Sequence, residues 1–188
     1  YKTGAYTIKD GTTVVSAEVF KESKLEYVAI PEGVESIGAS AFYSSQLKSI
    51  EIPGSVKTIG EYAFFNSKVR SVILHEGVNS IGNNAFTTCY YIIDGVVLPN
   101  SLNTLGDTVF YDRDSMKWLY FNNSAATVGN NLVENYGFTI YGEMGSALNT
   151  YVTDNLNKVT FADVSTFVPT ESVTISASEQ EMEIDDTL

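Results

Sequence analysis

Three stretches of the chain superimpose without a gap: LEYVAIPEGVESIGASAF (Leu25–Phe42), LKSIEIPGSVKTIGEYAF (Leu47–Phe64) and VRSVILHEGVNSIGNNAF (Val69–Phe86). Their closing phenylalanines, Phe42, Phe64 and Phe86, recur every 22 residues. Self-similarity at such a period marks a stacked repeat. Each recurring residue has a physical task. The alternation Ile50-x-Ile52 is the period of a strand with one buried face. Pro53 ends that strand because it cannot donate to a ladder. The turn that follows, Glu32-Gly33, Gly54-Ser55 or Glu76-Gly77, is expected to need a positive φ. Val56 and Ile59 then point inward. Gly38, Gly60, Gly82, Gly106 and Gly129 are expected to reverse the chain, and Ala63-Phe64 closes the coil.

The pattern extends in both directions with decay. Upstream, Tyr6, Ile8, Val15, Val19 and Phe20 keep the same frame. Downstream, IDGVVLPNSLNTLGDTVF ends at Phe110, 24 residues after Phe86, with two extra residues between Thr87 and Tyr91. A further coil runs through Met116, Leu119, Phe121, Val128, Gly129, Leu132 and Val133. Shorter ones follow at Phe138/Ile140 and Leu156/Val159/Phe161, which makes about eight strand positions by the spacing rule. A lone coil offers about six inward apolar residues, each worth roughly 1.5–3 kcal/mol when buried. Ordering its backbone costs about 1–2 kcal/mol per residue. One coil therefore cannot fold alone, and neighbours must cover both of its faces.

The run Val-x-x-Ile-Gly-x-x-Ala-Phe, followed by a spacer and Leu-x-x-Ile-x-Ile-Pro, resembles BspA-type leucine-rich repeats over roughly residues 5–165. The resemblance implies a leucine-rich-repeat solenoid, an α/β repeat fold rich in β structure. Parallel strands would line one face, with short turns or helical segments on the other. IYGEMGSALNTYVTDN (Ile140–Asn155) resembles the closing element of such arrays. Ser146 would be the N-cap of a C-terminal capping helix, with Ala147, Leu148, Tyr151 and Val152 inward. Two regions depart from the family pattern: the insertion in residues 87–95 and the degenerate coil from Phe121 to Phe138. The leucine-rich-repeat domain is expected over 1–165. Residues 166–188 would hold a linker and a piece that resembles the first hairpin of a bacterial immunoglobulin-like domain. An acidic linker is the alternative for that tail.

Charge restricts the partners. The chain carries −12 in total. Residues 1–94 hold 8 basic and 10 acidic side chains, and residues 95–188 hold 3 basic and 13 acidic. The second half would repel nucleic acid and an anionic membrane surface. No stretch approaches the roughly 18 apolar residues that a membrane span requires. No signal peptide opens the chain, so Tyr1 is expected to be a mature or cut end. With Cys89 the single cysteine, no internal disulfide and no thiolate metal cluster is expected.

Catalytic constellations are missing from the pattern. His75, the one histidine, occupies the slot of Pro31 and Pro53 and reads as a surface turn variant. Neither a Gly-x-Ser-x-Gly elbow, a His-Glu-x-x-His pair nor a phosphate loop occurs. Asp112, Asp114 and Ser115 form an oxygen-rich turn, which suits a solvated loop better than a calcium site. Cys89 is expected as a half-buried thiol beside the insertion. No enzyme activity, cofactor or metal is expected.

The outward strand positions offer more. One column reads Tyr27, Ser49, Ser71, Gly95, Trp118, Gly137 and Lys158; the next reads Ala29, Glu51, Ile73, Val97, Tyr120, Thr139 and Thr160. Adjacent strands lie about 4.8 Å apart, which would bring Ile73, Val97, Trp118 and Tyr120 side by side. Tyr27, Ile73, Val97, Trp118 and Tyr120 are therefore the expected ligand-binding face. The alternatives are residues that only stabilise the sheet by cross-strand pairing, or that lie beneath a loop. The resemblance implies an extracellular bacterial protein, secreted or displayed on the cell surface, that binds a host or neighbouring-cell protein or glycan. A structural spacer or display scaffold is the alternative function.

Overall fold

The computed structural model describes residues 3–92, 94–111, 116–133, 137–146, 148–149, 151 and 159–167. Fourteen strands, numbered in chain order, are described. The long strands line one side: β1 (Thr3–Thr7), β3 (Lys24–Ala29), β5 (Ser49–Ile52), β7 (Ser71–Leu74), β9 (Asp94–Val97), β11 (Met116–Phe121), β13 (Phe138–Gly142) and β14 (Val159–Asp163). They form three parallel ladders, β1–β3, β5–β7 and β9–β11–β13–β14. Single backbone hydrogen bonds, such as Lys48 N–H to the Glu26 carbonyl (2.8 Å), bridge between ladders.

The opposite side is also a sheet, where turns or helical segments were expected. The two-residue strands β2 (Val14–Val15), β4 (Ser36–Ile37), β6 (Thr58–Ile59), β8 (Ser80–Ile81), β10 (Thr104–Leu105) and β12 (Thr127–Val128) pair in one parallel six-stranded ladder. Ile37, Ile59, Ile81 and Leu105 point inward from it and are buried. The fold is thus a β-solenoid of leucine-rich-repeat type.

A third side closes each coil with tight turns. Ser40, Tyr62 and Asn84 have φ of 55°, 56° and 57°, and Ser44, Asn66 and Thr88 have φ of 52°, 54° and 60°. A left-handed backbone costs a non-glycine residue roughly 1–2 kcal/mol. The conformation aims each of these N–H groups at the next coil, for example Tyr62 to the Asn83 carbonyl at 3.0 Å and Asn66 to the Thr87 carbonyl at 3.0 Å. Backbone hydrogen bonds between successive coils thus occur on all three sides.

Between the sides the core is a column of rings. Phe20, Phe42, Phe64, Phe86 and Phe110 stack at centroid spacings of 5.1, 4.9, 4.9 and 5.5 Å, with ring planes 12°, 4°, 2° and 7° apart. Beside it runs the small-residue column Ser23, Ser45, Ser67 and Cys89. Cys89 is fully buried, deeper than the half-buried position expected. Its thiol donates to the Phe64 carbonyl at 3.1 Å and touches Ser67 Oγ at 3.4 Å.

The glycine column has a different cause from the chain reversal expected of it. Gly38, Gly60, Gly82, Gly106 and Gly129 do not have positive φ. Instead, a Cβ on Gly60 would lie 2.6 Å from Ala39 N, and one on Gly38 would lie 2.6 Å from Ala17 N. The preceding coil leaves no room for a side chain. Ser16 holds this position in the first described coil, where no described coil stacks against it. In the strand-ending turns, Gly33 and Gly77 do have positive φ (98° and 117°), whereas Gly54 and Ser55 do not.

The expected capping helix is not supported. The one helix described as an element is a 3-10 turn over Val164–Thr166. Leu148, Asn149 and Tyr151 have helical backbone, with Ala147 and Thr150 outside the described residues. Ser146 is buried, its Oγ accepts from Asn149 N–H at 3.3 Å, and Tyr151 reaches Val133 through its hydroxyl at 3.3 Å. Among the described residues β14 is the last strand of the long-strand side and continues the ladder by pairing with β13 in parallel register. The expected immunoglobulin-like hairpin lies outside the described residues.

Replacing Gly60 by Ala should lower stability by about 1–3 kcal/mol through overpacking, read as a reduced urea midpoint. Ser16→Ala should change it by less than about 0.5 kcal/mol. Equal effects of the two substitutions would refute close coil approach as the reason for the glycine column.

Candidate functional site

The expected binding residues fall on three different ladders. Tyr27 stands opposite Ala5 on β1–β3, and Ile73 stands opposite Glu51 on β5–β7. Val97 stands opposite Tyr120 on β9–β11, and Trp118 opposite Gly95. Among the described residues no ladder joins β3 to β5 or β7 to β9, although β7 and β9 remain neighbours. Val97, Trp118 and Tyr120 are brought together on one ladder, while Tyr27 lies on another and Ile73 on the neighbouring β7. Tyr27 and Val97 are exposed (42 % and 48 %), and Ile73 is half-buried.

Past Trp118 the register differs from the expected columns by two residues. Trp118 faces Thr139 rather than Gly137, and Tyr120 faces Tyr141 rather than Thr139. Thr139 in turn faces Thr160, and Tyr141 faces Ala162. Tyr141 thereby joins the aromatic face.

A fourth ring comes from beyond the last strand. Asp163 accepts a hydrogen bond from Ser165 N–H at 2.8 Å, and Phe167 N–H closes the 3-10 turn on the Val164 carbonyl at 3.1 Å. The chain is turned back so that Phe167 lies on the sheet face. Its ring centroid is 5.0 Å from Trp118, 4.8 Å from Tyr120 and 4.8 Å from Tyr141, in tilted or edge-on contacts favoured by ring quadrupoles. The Trp118 indole lies across Gly95, in the space that a Cβ there would fill. All four rings are half-buried, and Val97 extends their apolar surface into solvent.

Electrostatics on the rest of the surface are local. His75 Nε2 lies 2.6 Å from Glu51 Oε1, with both groups about half exposed, which agrees with a surface turn position. Lys48 pairs with Glu26 at 2.8 Å, and that hydrogen bond raises its pKa above the ordinary value of 10.5. Burial raises the Tyr151 hydroxyl above its usual 10.0. The Asp163 carboxyl is held below its ordinary 3.8 by hydrogen bonds from the Ser165 side chain and backbone. Among the described residues no group of three His, Cys, Asp or Glu is placed to hold a metal. Asp112, Asp114 and Ser115 lie outside the described residues. No described helix is long and apolar enough to cross a membrane.

Stacked coils, an inward aliphatic register and a repeating Ile-Gly-x-x-Ala-Phe closure define a leucine-rich-repeat protein. The BspA-type leucine-rich-repeat region matches in 6 copies over residues 13–139, and the chain belongs to that family. No curated protein matches it. Among solved structures it is similar to the pneumococcal vaccine antigen PcpA (TM-score 0.57, 19 % identity), over 76 % of this chain and 45 % of that one. The chain thus spans less than half the length of that antigen. A leucine-rich-repeat protein from Bacteroides ovatus is 20 % identical over 85 % of this chain and 61 % of its own, with a TM-score of 0.36.

Trp118 is the single tryptophan, so its emission reports directly on Phe167. Phe167→Ala should shift that emission to the red and increase acrylamide quenching without altering the far-ultraviolet circular dichroism. The Asp163 cap gives a pH dependence. A carboxyl with a lowered folded pKa contributes stability that is complete above its ordinary value. The contribution is lost as pH falls below 3.8 through the lowered value. Acidification through that window should give part of the same red shift, and Asp163→Asn should reduce this acid-induced change.

Proposed function

We propose that this chain is a non-catalytic protein-binding or adhesion module of a bacterial cell-surface or secreted protein, and that it uses the outward face of the long-strand side. One observation carries the reading. The rings of Trp118, Tyr120, Tyr141 and Phe167, with exposed Val97, form a contiguous apolar cluster on a ladder that backbone hydrogen bonds hold rigid. Rigid aromatic residues lose little entropy on binding and dominate the energy of protein interfaces. Family membership and the fold-level likeness to an antigen support a surface setting, although a fold does not itself fix a function. Proteins of this repeat class are generally non-catalytic, which agrees with the lack of a catalytic constellation. The division into a repeat domain over 1–165 and a linker with the truncated first hairpin of an immunoglobulin-like domain over 166–188 belongs to this proposal.

A second reading has its own observation. Phe167 covers part of the aromatic cluster, as expected if the rings only seal the end of the sheet in a structural spacer. Binding to a panel of purified extracellular-matrix proteins, measured by biolayer interferometry, separates the two. The adhesion reading expects saturable binding to at least one of them, weakened about tenfold or more by Val97→Arg combined with Tyr120→Ala. A loss of that size corresponds to about 1.4 kcal/mol. No binding by the parent, or equal binding by the variant, supports the spacer instead.

A further inference from the structure

The insertion after Thr87 brings a tyrosine against the preceding coil. It places Tyr91 over two cations of the preceding coil: Lys68 Nζ lies 4.9 Å and Arg70 Cζ 5.9 Å from the ring centroid. Lys68 also donates to the Tyr91 hydroxyl at 3.4 Å. Tyr91 and its neighbour Tyr90 remain 39 % and 50 % exposed. One coil earlier, Lys48 approaches the Tyr27 ring at 5.9 Å, but Glu26 occupies its charge. Lys68 and Arg70 differ from Lys48 in having no carboxylate partner among the described residues.

We propose that Lys68, Arg70, Tyr90 and Tyr91 form a binding site for a carboxylated sugar of an acidic glycan, at the corner beside the long-strand side. Three features define the ligand class. The planar guanidinium of Arg70 matches a carboxylate through two parallel hydrogen bonds. Exposed tyrosine rings offer flat apolar faces against which the C–H face of a pyranose packs, with a hydroxyl at the tip for its polar edge. Both cations lie within 6 Å of one ring centroid, a footprint suited to one charged sugar with its neighbours. Long polyanions are disfavoured by the strongly acidic second half of the chain, so short oligosaccharides should bind best. An acidic peptide would satisfy the cations and leave the tyrosine faces unused. This site is separate from the Val97–Tyr120 face and does not depend on it.

The test is an NMR titration of the full chain with a hyaluronan hexasaccharide, whose alternate sugars are uronates, beside the neutral chitin hexasaccharide and hexaglutamate. The expected result is saturable shifts with the hyaluronan hexasaccharide alone. Arg70→Gln and Tyr91→Ala should each weaken binding at least tenfold, while Lys9→Gln has little effect and thermal melts of all variants match the parent. Val97→Arg should leave glycan binding unchanged, which separates this site from the protein-binding face. Absence of binding by the parent overturns the proposal, as does full binding by both site variants. Hexaglutamate binding as tightly as the glycan would reduce the patch to a simple charge sink and also overturn it.

Discussion

Everything in this molecule depends on the close spacing of coil on coil. Backbone hydrogen bonds on all three sides draw neighbouring coils to the separation of adjacent β-strands, about 4.8 Å. The phenylalanine column, with ring spacings near 5 Å in its regular part, fits the same interval. Once that interval is imposed, the corner after each short strand has no space for a Cβ. The glycine column follows from this limit, and so does the burial of small residues at Ser45, Ser67 and Cys89. Hydrogen bonding and ring stacking set the same distance, which keeps a narrow, repetitive core dry and stable.

The surface departs from regularity where the period departs from 22. Two added residues lie between the β5–β7 ladder and the β9–β11–β13–β14 ladder. On one side of that break lies the aromatic cluster sealed by Phe167. At the break itself, Tyr91 is carried over Lys68 and Arg70 of the coil before it, which have no carboxylate partner among the described residues. Regular coils build the scaffold, and irregular ones carry its distinctive chemistry. The same division is common where rigid elements position functional loops.

Much of this architecture is legible in the sequence. The inward positions of the three intact copies, from Leu25 to Phe86, are buried as their alternation requires except Ile30 and Val72, which are partly buried, and the eight long strands fall where expected. The errors have specific causes. A slip of two residues between β11 and β13 leaves every side chain on its own face, since strand side chains alternate with period two. The alternation around Phe138 and Ile140 therefore could not distinguish Thr139 from Gly137 as the neighbour of Trp118. Ser40, Tyr62 and Asn84 gave no warning of a left-handed backbone, because that conformation is imposed by a partner carbonyl in the next coil. Phe167 belongs to no repeat, so no periodicity could place it.

The sequence by itself determined the solenoid, its period, its buried faces and its family, because each is written locally and then repeated. Tertiary structure alone decided which outward residues meet. Trp118, Tyr120, Tyr141 and Phe167 are spread over 50 positions of the chain, and a strand register and a short capped turn bring them together. Lys68 and Tyr91 meet across successive coils, with the insertion between them. Contacts of this kind depend on the path of the chain between coils, which hydrophobic pattern does not encode.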